Sequence, residues 1–296
     1  DAWFIGSGAE QRLKEKIEHI GKPLKDWDVN IYRGVLTGLN EAFIITTEKR
    51  NEILANCKDE AERRRTEAII KPILRGRDIK RYHYEWAGLW VIVIPAGWTN
   101  ENRGKENAEK FIEKVFSSLM NHLRPFEAKA KKRDDQGDYW WELRACAYYP
   151  EFEKEKVVYG QFQDAAEYSY CEAGIYLSSN EYMIGGSYKR KYFLGLLNSK
   201  LIEWYLNKIT GVLGLGMKIG QKSNFEKIPL PPITPTNQPI AKQIESLVDK
   251  TLAAKKESPQ ADTKNFEEEI DQLVYKLYNL THEEIKIIEG GENYED

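Results

Sequence analysis

A chain of 296 residues with 41% apolar content can fill one large core or two ordinary ones. No run of 18 apolar residues and no export signal occurs, so a membrane span is not expected and a cytoplasmic location is. Three widely spaced cysteines, Cys57, Cys146 and Cys171, fit neither a disulfide framework nor a zinc site and are expected to be buried, inert thiols.

The chain opens at Asp1 without an initiator Met, and a piece of a longer polypeptide is expected. GAEQRLKEKIEHI (8–20) has the 3.6-residue apolar period of a helix ended by Gly21 and Pro23. VNIYRGVL (29–36) and AFIITT (42–47) read as strands, rich in β-branched and aromatic residues. The residues before Gly76 read as a helix that this glycine breaks, which leaves Arg75 to Arg81 in a turn. LWVIVIP (89–95) reads as a strand and NAEKFIEKVFSSLMNHL (107–123) as one helix ending before Pro125. KVVYGQF (156–162) and GIYLSS (174–179) are further strands. KRKYFLGLLNSKLIEWYLNKI (189–209) reads as one helix, with Phe193, Leu196, Leu197, Leu201, Trp204 and Tyr205 on a broad apolar face.

Five prolines in IPLPPITPTNQP (228–239) favour an extended connector. Beyond it two amphipathic stripes, Ile240 to Leu252 and Phe266 to Leu277, predict a pair of helices. Thr281 with Glu284 is a capping-box signature for a short third. Strands mingled irregularly with helices predict an α+β class, with a mixed or antiparallel sheet in the body and a helical C-terminal appendage. The expected organisation is an α+β domain over 1–227, a connector over 228–239 and a helical support over 240–296.

The net charge of −3 conceals an uneven distribution. From residue 239 onward there are 14 Asp plus Glu against 7 Lys plus Arg. Residues 61–84 carry eight basic side chains against three acidic ones, and residues 187–222 carry seven against one. Local basic patches on a near-neutral body suit contact with a polyanion, although a highly charged protein also carries solvated bases everywhere.

Catalytic signatures are missing. In GVLGLGMK (211–218) Met217 stands where a Walker A lysine is required, and the glycines follow a helix instead of a strand. The histidines are scattered without metal-ligand spacing, no GxSxG occurs, and Glu127 with Lys129 forms an ExK that lacks the rest of a two-metal nuclease signature.

Five segments, in this order, carry a resemblance: VNIYRGVLTGLNEAFII (29–45), IIKPILRGRDIKRYHYEWAGLWVI (69–92), YWWELRACAYYPEFEKEKVVYG (139–160), FLGLLNSKLIEWYLNKITG (193–211) with SNFEKIPLPPI (223–233), and IDQLVYKLYNLTHEEIKIIEG (270–290). Together they resemble the C-terminal specificity region of Type IIG restriction-modification enzymes, the TaqI-like target-recognition family. That resemblance implies a non-catalytic module that selects a double-stranded DNA sequence. It implies partnership with upstream nuclease and adenine-N6 methyltransferase domains of the same polypeptide. No cofactor is then expected in this chain, while S-adenosylmethionine and Mg2+ are expected for the parent enzyme. Other readings are the specificity subunit of a multi-subunit system and a non-catalytic scaffold.

The candidate DNA contacts lie in three places. Arg75, Arg77, Lys80 and Arg81 occupy the turn around Gly76, where a guanidinium fork can meet guanine bidentately and a cation can meet phosphate; alternatively Asp78 pairs with Arg75 or Arg81 and braces the loop. Lys189, Arg190 and Lys191 open a helix whose free amide groups favour phosphate. Lys218, Gln221, Lys222 and Ser223 supply cationic, amide and hydroxyl groups in a loop, the place where specificity domains of this kind meet the duplex. Tyr139, Trp140 and Trp141 form either a stacking platform or part of the core.

Overall fold

A computed structural model of the chain describes residues 7–161, 165, 167–210 and 222–290. Ser7 and Glu10 form a capping box that starts helix α1 (Gly8–Ile20) over the expected residues, with Leu13 and Ile17 buried. A short strand, β1 (Lys22–Pro23), leads to β2 (Val29–Arg33). The second expected strand is shorter than its apolar run, because Ala42 and Phe43 belong to a helical turn and β3 begins at Ile44 (Ile44–Thr46). Thr46 and Asp59 cap α2 (Thr47–Ala55) and α3 (Glu60–Ile69) through their side chains.

Residues 70–74, expected as helix, form strand β4 (Ile70–Leu74), pairing antiparallel with β5 (Leu89–Ile92) and parallel with β8 (Tyr176–Leu177). Pro72 explains the difference, since it removes a helical hydrogen bond and restricts Lys71 before it to extended backbone. With β3 these strands form a mixed sheet of order β3-β5-β4-β8. A second, antiparallel sheet has the order β2-β9-β6-β7, from β6 (Lys156–Gly160), β7 (Tyr168–Cys171) and β9 (Glu181–Gly186). The fold is therefore α+β, as expected.

The antiparallel sheet is buried on both faces, and its alternating side chains divide two cores. Ile31, Val157, Tyr159, Tyr168 and Ile184 face one core, while Val158, Cys171 and Met183 face the other. The second core is completed by the mixed sheet and by α4 (Ala108–Val115) and α5 (Ser117–Leu123). These two helices replace the single one expected over 107–123. Phe116 leaves helical geometry at φ −132°, and buried Glu62 accepts the Ser118 amide at 2.8 Å, capping the new start.

The first core takes in α6 (Arg190–Leu197), α7 (Lys200–Thr210), α8 (Gln238–Glu257), α9 (Lys264–Leu277) and α10 (His282–Ile288). Here too one expected helix is two. Buried Asn198 turns its amide onto the Tyr168 backbone, donating to the carbonyl at 2.9 Å and accepting the amide N–H at 3.1 Å. Ser199 Oγ then accepts the Ile202 N–H and restarts the helix. In the connector, β10 (Pro229–Leu230) pairs with β1, and the Tyr192 hydroxyl donates to the Pro231 carbonyl at 2.9 Å. The last helix carries the capping box expected at Thr281 and Glu284. Trp140 and Trp141 are core residues. Of the thiols only Cys171 is buried, where burial pushes it up to about 12; Cys57 and Cys146 are half-buried. No helix among the described residues is long and apolar enough to cross a membrane.

Two carboxylates give this packing a measurable signature. Glu142 is fully buried and accepts the backbone N–H groups of Gly97, Thr99 and Asp138 at 2.9 to 3.1 Å. Glu142→Ala strands those donors and is expected to cost about 3–4 kcal/mol in urea unfolding. Asp271 accepts the Lys200 N–H at 2.9 Å, and burial pushes its carboxyl up to about 6. A raised carboxyl pKa means that the folded state holds the proton longer than the unfolded state does. Stability from this group is lost as pH rises from about 4 to about 6. Asp271→Asn keeps the acceptor, so its stability relative to wild type is expected to climb through that window by on the order of 1–2 kcal/mol. A parallel course of the two stabilities against pH would contradict this.

Candidate nucleic-acid interface

The connection from β4 to β5 carries the cation-rich turn. Arg75 to Asp78 make a 3-10 turn in which Arg75 grips both Asp78 oxygens, Nε at 3.0 Å and Nη2 at 2.7 Å, while its backbone N–H donates to the same carboxylate at 2.9 Å. Asp78 is 4% exposed, so this charge-assisted fork is a structural brace. Gly76 lies close to β9, where a Cβ would sit 3.1 Å from Glu181 Oε1, a tight contact to which that carboxylate would have to yield.

After the turn the chain folds into a small hairpin. Ile79 pairs with Tyr84, the Lys80 N–H donates to the His83 carbonyl at 2.8 Å, and the Glu85 N–H donates to the Asp78 carbonyl at 2.7 Å. Tyr82, at the tip, is left-handed with φ +68°, a costly backbone for a bulky side chain. It is held there because its N–H donates to the Tyr168 carbonyl at 2.8 Å and its ring is buried in the first core. Burial pushes its hydroxyl well above the ordinary tyrosine range, and that buried oxygen has no hydrogen-bond partner among the described residues.

The four turn candidates therefore divide. Arg75 is spent on Asp78. Arg81 forms an ion pair with Glu267 of α9, its guanidinium 5.5 Å from the Tyr82 ring centroid, and ties the hairpin to the C-terminal helices. Arg77 is exposed, Lys80 is half-buried, and neither makes an ion pair among the described residues.

The second group sits at the start of α6, as expected. Lys189 occupies the cap position without a side-chain cap, is exposed, and has no ion pair among the described residues. Arg190 donates to the Glu155 carbonyl at 2.7 Å and the Gly186 carbonyl at 3.3 Å. Lys191 pairs with Asp249 of α8 at 2.5 Å. A cleft of about 560 Å³ runs between the hairpin and α8, lined by Tyr82, His83, Tyr84, Lys191, Asp249 and Lys256. In the third group Lys218 and Gln221 lie outside the described residues, as does the whole of 211–218. Lys222 and Ser223 are exposed on a short turn, Lys222 with Glu226 at 3.7 Å.

Strand register places these groups. Gly76 abuts Glu181, which pairs with Gly160. Phe225, following Lys222 and Ser223, stacks on Tyr159 one position away, with ring centroids 4.3 Å apart. The Arg77 turn and the Lys222–Ser223 turn thus meet one end of the antiparallel sheet. Lys189 follows the far end of β9, a strand whose six residues span about 17 Å. Sequence reasoning missed Arg33, which pairs with Tyr182 at the same end as Arg77. It is exposed, makes no ion pair among the described residues, and donates to the Ser179 carbonyl and to Asn180 Oδ1. Its place as the only cation of VNIYR, at the end of that strand, was the available signal. Among the described residues no cluster of His, Cys, Asp and Glu could hold a metal ion.

A search of curated proteins finds no match. Among solved structures the chain is similar in fold to the Type IIL restriction-modification enzyme MmeI, solved in complex with DNA, at 13% identity and a TM-score of 0.62, over 91% of this chain and 36% of that one. The type IIG restriction endonuclease BpuSI matches at 15% identity and a TM-score of 0.47, over 92% of this chain and 34% of that one. The chain thus spans about a third of the length of each. A family model for the TaqI-like C-terminal specificity domain matches residues 71–230, a span that begins just before the Arg75 turn and ends at β10. With more than half of its residues inside that match, the chain belongs to the TaqI-like C-terminal specificity domain family.

Proposed function

We propose that this chain is the sequence-selecting module of a fused restriction endonuclease and adenine-N6 DNA methyltransferase, and that its ligand is double-stranded DNA. The observation that carries the reading is the family match over 71–230, which contains every one of the candidate cations. The fold likeness to an enzyme solved in complex with DNA supports it. So does the physical state of the bases. Arg77, Lys80, Lys189 and Lys222 are the side chains of the candidate set that keep their charge exposed or weakly paired, which suits phosphate contact and groove readout.

In this reading the body and the helices after the connector act in the cytoplasm as one arm of the parent enzyme, with the body as reader and the helices as its support. Cleavage and methylation, with Mg2+ and S-adenosylmethionine, belong to domains outside this chain. Binding energy is expected to come largely from counterion release, so affinity falls steeply with salt, by a log–log slope of about −0.9 per phosphate contacted. Sequence choice is expected from a few side chains at base edges, each worth about 1–3 kcal/mol of discrimination.

The test is selection from a random duplex library across a salt series. Enrichment of one short asymmetric motif, lost progressively at higher salt, is the expected result. Retention without any motif would move base selection to the parent's other domains, and no retention at any salt would favour a scaffold.

A further inference from the structure

Trp86 is the one large apolar side chain among the described residues that is exposed, at 40%. It is not loosely held. Its indole Nε1 donates to the Leu89 carbonyl at 2.8 Å, so the polar atom is satisfied within the chain and the surface left to solvent is apolar. The Trp90 ring meets it edge-on, with centroids 5.0 Å apart and planes at 88°. Trp90 is fixed in turn by the Arg50 guanidinium 4.2 Å from its centroid and by an indole hydrogen bond to Thr47 Oγ1 at 3.0 Å. Behind both rings Gly88 adopts φ +70°, and its carbonyl accepts from the Thr47 N–H and hydroxyl at 3.0 and 2.9 Å. The chain thus spends a left-handed glycine and several hydrogen bonds on holding one indole in water.

The hairpin shows what lies beside it. Arg77 precedes Asp78 in the 3-10 turn and Trp86 follows Glu85, so both lie just outside the Glu85–Asp78 hydrogen bond that closes the hairpin. Arg77 is exposed and without an ion pair among the described residues, while Glu85 faces His83 Nε2 at 3.6 Å. One exposed indole backed by half-buried Trp90 and Leu89 is far smaller than the roughly 800 Å² per partner of a stable protein interface. It is the right size for one deoxyribose or thymine methyl, and an unneutralised guanidinium alongside suits the adjoining phosphate.

We propose that Trp86 is a DNA-contacting residue, its exposed indole packing on a deoxyribose or a thymine methyl at the duplex surface, next to a phosphate met by Arg77. This rests on the reading of the chain as a DNA recognition module and adds to it an apolar contact that the positions of the basic residues do not reveal.

The experiment measures binding of wild type, Trp86→Ala and Trp86→Phe to one duplex over a salt series, with thermal melting to verify folding and sedimentation to follow self-association. Trp86→Ala is expected to weaken binding roughly tenfold at every salt concentration, as loss of one aromatic contact does. Its log–log salt slope is expected to stay at the wild-type value, since no charge is removed. Trp86→Phe, which keeps an aromatic face, is expected to retain most of the affinity. If wild type binds with the usual salt dependence and Trp86→Ala binds equally well, the Trp86 contact is wrong and the DNA reading stands. Wild type that binds at no salt concentration overturns both. Self-association of wild type that Trp86→Ala abolishes, with DNA affinity unchanged, would assign the indole to a second copy of the chain.

Discussion

The backbone of Tyr168, at the outer edge of the antiparallel sheet, is where the parts of this fold are joined. An edge strand presents unpaired N–H and C=O groups that must be covered. Here the Tyr168 carbonyl accepts from both the Tyr82 N–H and the Asn198 side chain, and its N–H donates to Asn198. One residue thereby anchors the cation-rich hairpin, the break between α6 and α7, and the strand itself. The left-handed backbone of Tyr82 is the local cost of that docking, offset by burial of its ring.

Docking the hairpin decides the fate of its arginines. Drawn against the sheet and α9, the segment needs internal countercharges. Arg75 finds buried Asp78, and Arg81 finds Glu267 on the acidic C-terminal helices. The acidity of residues after 239 thus has a structural use, because Glu267 ties the hairpin to α9 and Asp249 ties Lys191 to α8. What remains outward is a smaller set, Arg77 with Arg33 and the Lys222 turn at one end of the sheet and Lys189 at the other. In the proposed function the basic stretch serves both packing and binding, with Gly76 close to Glu181 while its neighbours take different partners.

Much of the fold was legible in the residues themselves. Helix α1, the strands at 29–33, 89–92 and 156–160, and the capping box at Thr281 follow from local period and caps that tertiary packing did not override. The breaks were not legible, because Asn198 and Ser118 end or begin helices through distant partners, Tyr168 and Glu62. β7 and β9 were missed since YSYC and EYMIGG lack a clear alternation when both faces of the sheet are buried. Charge density singled out the β4–β5 connection but could not sort its members. Arg75 and Arg77 are alike in sequence, and only the fold places a carboxylate against the first. Trp86, quoted among the aromatics of that stretch, could not be told from core without its exposure.

The fold divides these cations into braces and, in the proposed function, DNA contacts. This division is tested most directly by comparing Arg81→Ala with the triple variant Arg77→Ala/Lys80→Ala/Lys189→Ala in both thermal melting and salt-dependent duplex binding. Arg81→Ala is expected to melt earlier yet keep the wild-type salt slope. The triple variant is predicted to melt with wild type while its slope shrinks by roughly two to three units, about one per lost phosphate contact. The reverse pattern, with a reduced slope in Arg81→Ala and an unchanged one in the triple variant, would contradict it.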